Sequence, residues 1–92
     1  MTLIIRKLSK PGCRPCAAIG HYLSEIAPQI AEEGATVTEH NVMVERGLLE
    51  KYEITGVPVL IFERNGVEVA RLNGLVSPEE ILETLKHAKV VR

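Results

Sequence analysis

The stretch from Leu3 to Cys16, LIIRKLSKPGCRPC, decides the fold of this chain. Its first part, Leu3 to Leu8, is a short apolar run of the kind that forms a buried strand. Lys10-Pro11-Gly12 then interrupts the run, because proline and glycine favour turns over regular structure. Cys13 and Cys16, the two cysteines of the chain, follow where a helical pattern begins. The stretch therefore predicts a strand, a loop and a helix, with both cysteines at the start of the helix.

Composition predicts one small globular domain that spans residues 1–92. The chain is 46% hydrophobic with a net charge of −1, so it can bury an aliphatic core and has no basic field for nucleic acid. The N-terminus has no long apolar segment, and no other stretch has the length needed to cross a membrane. We therefore expect a cytoplasmic monomer with neither a nucleic-acid nor a membrane partner.

The remaining pattern predicts an α/β fold. One helix is expected over Arg14 to Glu33, kinked or split at Pro28, because proline cannot supply the amide that would bond to residue 24. The other expected elements are strands over Ala35–Val42, Pro58–Glu63 and Val67–Leu72, a short helix over Glu45–Tyr52, a hairpin turn at Asn65-Gly66, and a final helix that begins at Ser77-Pro78. The order is β-α-β-α-β-β-α. It predicts a four-stranded mixed sheet flanked by helices, with the first two strands parallel and the last two antiparallel.

The two cysteines suggest redox chemistry. In a reducing compartment such a pair is rarely a structural staple. At the start of a helix, backbone amides and the helix dipole favour the thiolate of Cys13, and Arg14 adds a nearby cation. Cys16 lies one turn further in and should be more buried. We therefore expect Cys13 to attack a substrate disulfide and Cys16 to resolve the mixed disulfide, with Pro15 stiffening the first helical turn.

Three other interpretations of the pair stay open at this stage. A structural disulfide would close a very small loop and stabilise little. A zinc site would have Cys13, Cys16 and His21 at most, with spacing unlike that of paired cysteine motifs, so no metal or other cofactor is expected. The pair could also be two unrelated buried cysteines.

Taken together, several segments resemble the thioredoxin-like family. They are Cys-Arg-Pro-Cys after a strand, the segment Lys51–Pro58 (KYEITGVP), the Asn65-Gly66 hairpin, and Gly74 before a terminal amphipathic helix. The resemblance covers about Leu3 to Leu85. It implies a minimal version of the thioredoxin-like fold.

The resemblance also implies an activity and a binding site. The protein would be a protein-disulfide oxidoreductase active in electron transport, which reduces disulfide-containing proteins and is recharged by a flavin-dependent thioredoxin reductase. Pro58, which on base rates alone would be trans, would be a cis-proline that faces the cysteines. The Val57 backbone would pair with an extended substrate segment, Gly74 would border the same groove, and Arg14 and Pro15 would complete the substrate-binding surface.

The chain departs from the family pattern at four positions. Gly12 replaces a usual tryptophan, and Arg14 replaces a usual glycine. Lys7 stands where the family has a buried aspartate, and Glu39 aligns with the lysine that is its usual partner. The two could form a partly buried pair beneath Cys16 and act as a proton relay with exchanged roles, or both could simply reach solvent.

Other functions remain compatible with the sequence. One is a non-catalytic redox-sensing or interaction module. A second is a glutaredoxin-like electron donor to ribonucleotide reductase, although a glutathione site is poorly supported. A third is a cluster-binding dimer with one cysteine from each subunit.

Overall fold

The computed structural model describes residues 1–91 and contains eight helices and strands. In chain order they are β1 (Leu3–Ser9), α1 (Arg14–Glu25), α2 (Ala27–Glu32), β2 (Ala35–Asn41), α3 (Gly47–Lys51), β3 (Val59–Arg64), β4 (Val67–Asn73) and α4 (Pro78–Val90).

The strands form one four-stranded sheet in the order β2-β1-β3-β4. β1 and β2 are parallel, while β3 runs antiparallel to both β1 and β4. The mixed sheet and its strand directions are therefore confirmed. Since β3 reverses direction, its start lies at the same end of the sheet as the ends of β1, β2 and β4.

The long helix expected over Arg14 to Glu33 is split, as the proline predicted. α1 ends with Ile26 at its C-cap, and α2 begins at once, with Pro28 in its first turn. Proline fits this position because the amide it lacks would have no helical partner there. Gly34 then ends α2 with a φ of +79°, a conformation that favours glycine.

The main hydrophobic core lies between the sheet and the helices α1, α2 and α4. Alternate residues of β1 and β3 point towards these helices, because successive side chains of a strand face opposite sides. The fully or almost fully buried members of this core are Leu3, Ile5, Ile19, Leu23, Ile26, Ile30, Leu60, Phe62, Ile81, Leu85 and Ala88.

Among residues 1–91, α3 is the only helix on the opposite face of the sheet, which combines a small apolar core with a polar cluster. The apolar core consists of Leu8, Val42, Tyr52, Ile54, Val59 and Ile61. Beside it, the Glu63 carboxylate is buried and accepts hydrogen bonds from Tyr52 and from Arg6. Because both carboxylate oxygens have a donor, the sheet tolerates this buried charge.

The two turn signals of the sequence form as expected. Asn65 and Gly66 join β3 to β4 with φ values of 53° and 83°, the left-handed geometry of a two-residue hairpin. Ser77 caps α4, since its Oγ accepts a 3.1 Å hydrogen bond from the Glu80 amide.

Candidate functional site

The two cysteines lie at the start of α1 and are joined by a disulfide. Cys13 is the N-cap residue, and its Sγ accepts a hydrogen bond of 3.2 Å from the Cys16 amide. Gly12 has a φ of +75°, so the chain turns sharply into the helix just before the pair. A sulfur at this position accepts a hydrogen bond from a backbone amide and lies at the positive end of the helix dipole.

The two sulfur-bearing residues differ in exposure. Cys13 is half-buried, whereas only 3% of Cys16 is exposed. Arg14 and Pro15, which separate them, are both exposed, and Pro15 occupies the first turn of α1. A partner molecule can therefore approach Cys13, Arg14 and Pro15 directly, while Cys16 is shielded from it.

Val57, Pro58 and Gly74 lie at the same end of the sheet as Cys13. The pairing of Leu8 with Val59 brings the end of β1 beside the start of β3, and β4 ends next to Val59. The peptide bond between Val57 and Pro58 is cis. The Gly74 amide donates a 2.9 Å hydrogen bond to the carbonyl oxygen of Pro58.

The neighbouring part of the site is apolar. Val57 is half-buried, and Leu75, which follows Gly74, is 59% exposed. Sequence analysis did not single out Leu75. The signal that could have found it is a large apolar residue between a glycine and a helix cap, where solvent-exposed chain is expected.

Lys7 and Glu39 form an ion pair across neighbouring strands. They lie opposite one another in the parallel register of β1 and β2, and Lys7 Nζ is 3.0 Å from Glu39 Oε1. The two side chains differ greatly, since 9% of the Lys7 side chain is exposed against 70% for Glu39. Glu39 reaches solvent and Lys7 does not.

Gly20 was missed in the sequence and belongs to the same part of the molecule. It lies inside α1, and a Cβ atom built there would be 2.8 Å from Lys7 Nζ. A glycine in a helix interior costs about 1 kcal/mol relative to alanine, so its presence in a helical pattern signals a close approach.

The structure does not bring His21 towards the cysteines as a ligand. Its Nε2 instead contacts Glu25 Oε1 at 2.9 Å on the exposed side of α1. Within residues 1–91, no group of three or more histidine, cysteine, aspartate or glutamate side chains could hold a metal ion. Within the same residues, no helix has the length and apolar character needed to cross a membrane.

Curated relatives of the chain carry the names thioredoxin and glutaredoxin. It is 31% identical over 77 residues to a thioredoxin of Chlamydia pneumoniae, covering 83% of this chain and 74% of the relative. It is 28% identical over 87 residues to human glutaredoxin-3, covering 95% of this chain. The chain spans only 25% of the length of that protein and of its bovine counterpart.

Solved structures agree with this similarity. A mutant thioredoxin from Halobacterium salinarum superposes with a TM-score of 0.85 at 20% identity, covering 98% of this chain and 77% of that one. Fasciola hepatica thioredoxin superposes with a TM-score of 0.83 at 25% identity, covering 95% and 81%. The fold is therefore the thioredoxin fold. The family model for a thioredoxin-like domain matches residues 7–89, which include both cysteines, Pro58 and Gly74, and the chain belongs to the thioredoxin-like family.

Proposed function

We propose that this protein is a thiol–disulfide oxidoreductase that reduces protein disulfides through Cys13 and Cys16. The observation that carries the proposal is the unequal pair at the start of α1, with Cys13 accessible and Cys16 buried one turn further in. Relatives of the family at 28–31% identity support the class of reaction.

The proposed cycle transfers two electrons to the substrate. The Cys13 thiolate attacks one sulfur of a substrate disulfide, and the other substrate sulfur leaves as a thiolate that takes up a proton. Cys16 then loses its proton and attacks Cys13 Sγ. The mixed disulfide breaks, the second substrate thiol is released, and the Cys13–Cys16 disulfide forms. The substrate is reduced and the protein oxidised.

The substrate would lie across the apolar end of the sheet. We infer that an extended segment pairs with the Val57 backbone beside Pro58, with Gly74 allowing close approach and Arg14 and Pro15 contacting the segment near Cys13. The exposed position of Arg14 and Pro15 and the location of the other three at one sheet end support this surface. Recharging by a flavin-dependent thioredoxin reductase, a monomeric state and a cytoplasmic location remain predictions.

Insulin reduction in the presence of dithiothreitol tests the activity. The protein should accelerate precipitation of the insulin chains over dithiothreitol alone, and Cys13→Ser should abolish the acceleration. An unaccelerated reaction with folded protein would contradict the proposal and favour a non-catalytic redox-sensing or interaction module.

A glutaredoxin-like electron donor is the second candidate, favoured by the alignment of human glutaredoxin-3 with 95% of this chain. The two functions differ in the reductant that recharges the Cys13–Cys16 disulfide. Reduction of that disulfide by glutathione, but not by thioredoxin reductase and NADPH, would favour the glutaredoxin-like function.

A further inference from the structure

Lys7 is a buried charged side chain that the cycle of Cys13 and Cys16 does not use. It lies on the face of β1 that is covered by α1, and 7% of the residue is exposed. Burial of an ammonium is costly unless its charge is compensated, so its place inside the fold calls for a physical reason.

Gly20 makes room for the Lys7 ammonium beneath α1. The Cβ atom that Gly20 lacks would be 2.8 Å from Lys7 Nζ, closer than real Cβ contacts allow. Any other residue at position 20 would have to displace the ammonium. The helix therefore passes directly over Lys7 Nζ at this point.

Cys16 lies one helical turn before Gly20 on the same face of α1. Residues four apart in a helix are surface neighbours, with Cβ positions roughly 5–6 Å apart. Cys16 is 3% exposed and Lys7 is 7% exposed, so both residues are largely shielded from solvent. A charge acts more strongly through such a low-dielectric region than through solvent.

The neighbouring charged groups on β2 and α1 are exposed to solvent, whereas the Lys7 ammonium is buried. From β2, Glu39 pairs with Lys7 but is 70% exposed in its side chain, and it lines an open cleft of about 230 Å³. On α1, Arg14 is exposed to solvent, which screens its charge. From α4, the residues that enter the shared core are the apolar Ile81, Leu85 and Ala88.

We propose that Lys7 is a positioning residue for the resolving step, in which its ammonium, placed beneath α1 by Gly20, stabilises the thiolate of Cys16. The inference rests on the proposed function. Cys16 releases its proton to solvent and attacks Cys13 Sγ, and the substrate sulfur leaves with the electron pair of the broken bond and takes up a proton. An ammonium has no free lone pair, so Lys7 acts through its charge and not by accepting the proton.

Titration of Cys16 in a Cys13→Ser background tests directly whether the Lys7 charge stabilises the Cys16 thiolate. Lys7→Met removes the charge with an unbranched side chain that is one atom shorter, and Glu39 stays hydrated because it is exposed. The thiolate fraction of Cys16 near neutral pH should fall about tenfold, which is a rise of about one in its pKa. Ultraviolet absorbance of the thiolate measures it. An unchanged titration would overturn the proposal.

Gly20→Ala provides a second variant that leaves every charge in place. Alanine favours the helix, so folding is preserved, while the new Cβ displaces the ammonium from its position beneath α1. The Cys16 thiolate fraction should fall severalfold. Gly47→Ala is the matched control, because Gly47 has nothing within 4 Å of the Cβ it lacks. An effect of Gly20→Ala that persists in Lys7→Met would contradict the proposed route through Lys7.

The pH profile of the resolving step separates charge stabilisation from a proton relay. In Lys7→Met, the Cys16 thiolate should be tenfold less abundant than in wild type and about threefold more nucleophilic. Below the Cys16 pKa, the resolving step should therefore be roughly threefold slower than in wild type. Above that pKa the variant should be about threefold faster. Loss of a proton relay predicts slower resolution below that pKa and an unchanged rate above it, where Cys16 has already lost its proton. Because the Cys16 titration requires no turnover, its result stands whether or not the protein reduces insulin.

Discussion

The Tyr52 hydroxyl donates a hydrogen bond of 2.6 Å to Glu63 Oε2, which joins the end of α3 to the buried carboxylate on β3. Arg6 Nε donates to the other oxygen at 2.7 Å. Burial alone would raise the pKa of Glu63, but the hydrogen bonds from Tyr52 and Arg6 outweigh it and lower the pKa below its ordinary value. The carboxylate is therefore charged in the folded protein, and the hydrogen bonds from Tyr52 and Arg6 stabilise that charge.

Tyr52→Phe should destabilise the fold by about 2 kcal/mol, because a hydrogen bond to a buried charged group is lost. The aromatic ring remains in place, so packing changes little. Urea unfolding followed by circular dichroism measures the loss. Tyr22→Phe is the control, since Tyr22 makes no side-chain hydrogen bond within residues 1–91. Equal stability of the two variants would contradict the role assigned to Tyr52.

Acid should weaken the contribution of Glu63 to stability. Its folded-state pKa is lowered, so the stabilisation is complete above the unfolded pKa and is lost as the pH falls through the folded one. The unfolded value is about 4.3. The difference in unfolding free energy between wild type and Glu63→Gln should therefore narrow below about pH 4. A difference that stays constant as the pH falls would refute this assignment.

Alkali should weaken the same contact through Tyr52. Burial raises the Tyr52 pKa, and the hydrogen bond to Glu63 raises it further. The stabilisation is therefore complete below the unfolded pKa, about 10, and is lost as the pH rises through the folded value. The unfolding free energies of wild type and Tyr52→Phe should therefore converge in this alkaline range. If Tyr52 were freely hydrated, the difference in unfolding free energy between wild type and Tyr52→Phe would stay constant from pH 8 to 11.

Cys16→Ser should trap mixed disulfides between Cys13 and its substrates. The more exposed Cys13 can still attack, but no second thiol is left to resolve the product. Non-reducing electrophoresis after incubation with a disulfide-containing protein measures the trapped complex. Cys13→Ser should trap little or none, because Cys16 is buried. The opposite pattern would mean that the two roles are reversed.

Leu75→Ser should raise the KM for protein disulfides severalfold and leave stability almost unchanged. Leu75 is 59% exposed and follows Gly74 at the end of the sheet that carries Cys13. Val90→Ser is a suitable control, because Val90 is 73% exposed at the far end of the 13-residue helix α4. Equal effects of both variants on KM would exclude a specific contact of Leu75 with substrate.

Local chemistry explains how much could be predicted from the chain. Pro28 split the long helix, Asn65-Gly66 formed the hairpin turn and Ser77 capped the last helix, because each depends on a few neighbouring residues. Strand limits shifted by one residue, since strand pairing ends where the partner strand ends. Val42, for example, follows β2 instead of ending it.

The polar cluster and the Lys7 site could not be predicted in the same way. Arg6 and Glu63 are 57 residues apart, and their contact exists only because β1 pairs with β3. The resemblance to the family aligned Lys7 and Glu39 with a known pair, yet both could have reached solvent. Only the packing of α1 over the sheet left one side chain buried and the other exposed.

The motifs of the sequence carried the resemblance to the thioredoxin-like family. The sequence by itself also determined the order of elements and the position of Cys13-Arg14-Pro15-Cys16 between strand and helix. These follow from periodicity, turn residues and spacing, which act over short distances along the chain. The tertiary structure decided which groups surround the pair: the ammonium beneath Gly20, and the chain around Pro58 and Gly74. Their positions depend on sheet register and helix packing, because contacts between distant segments form only when the whole core closes.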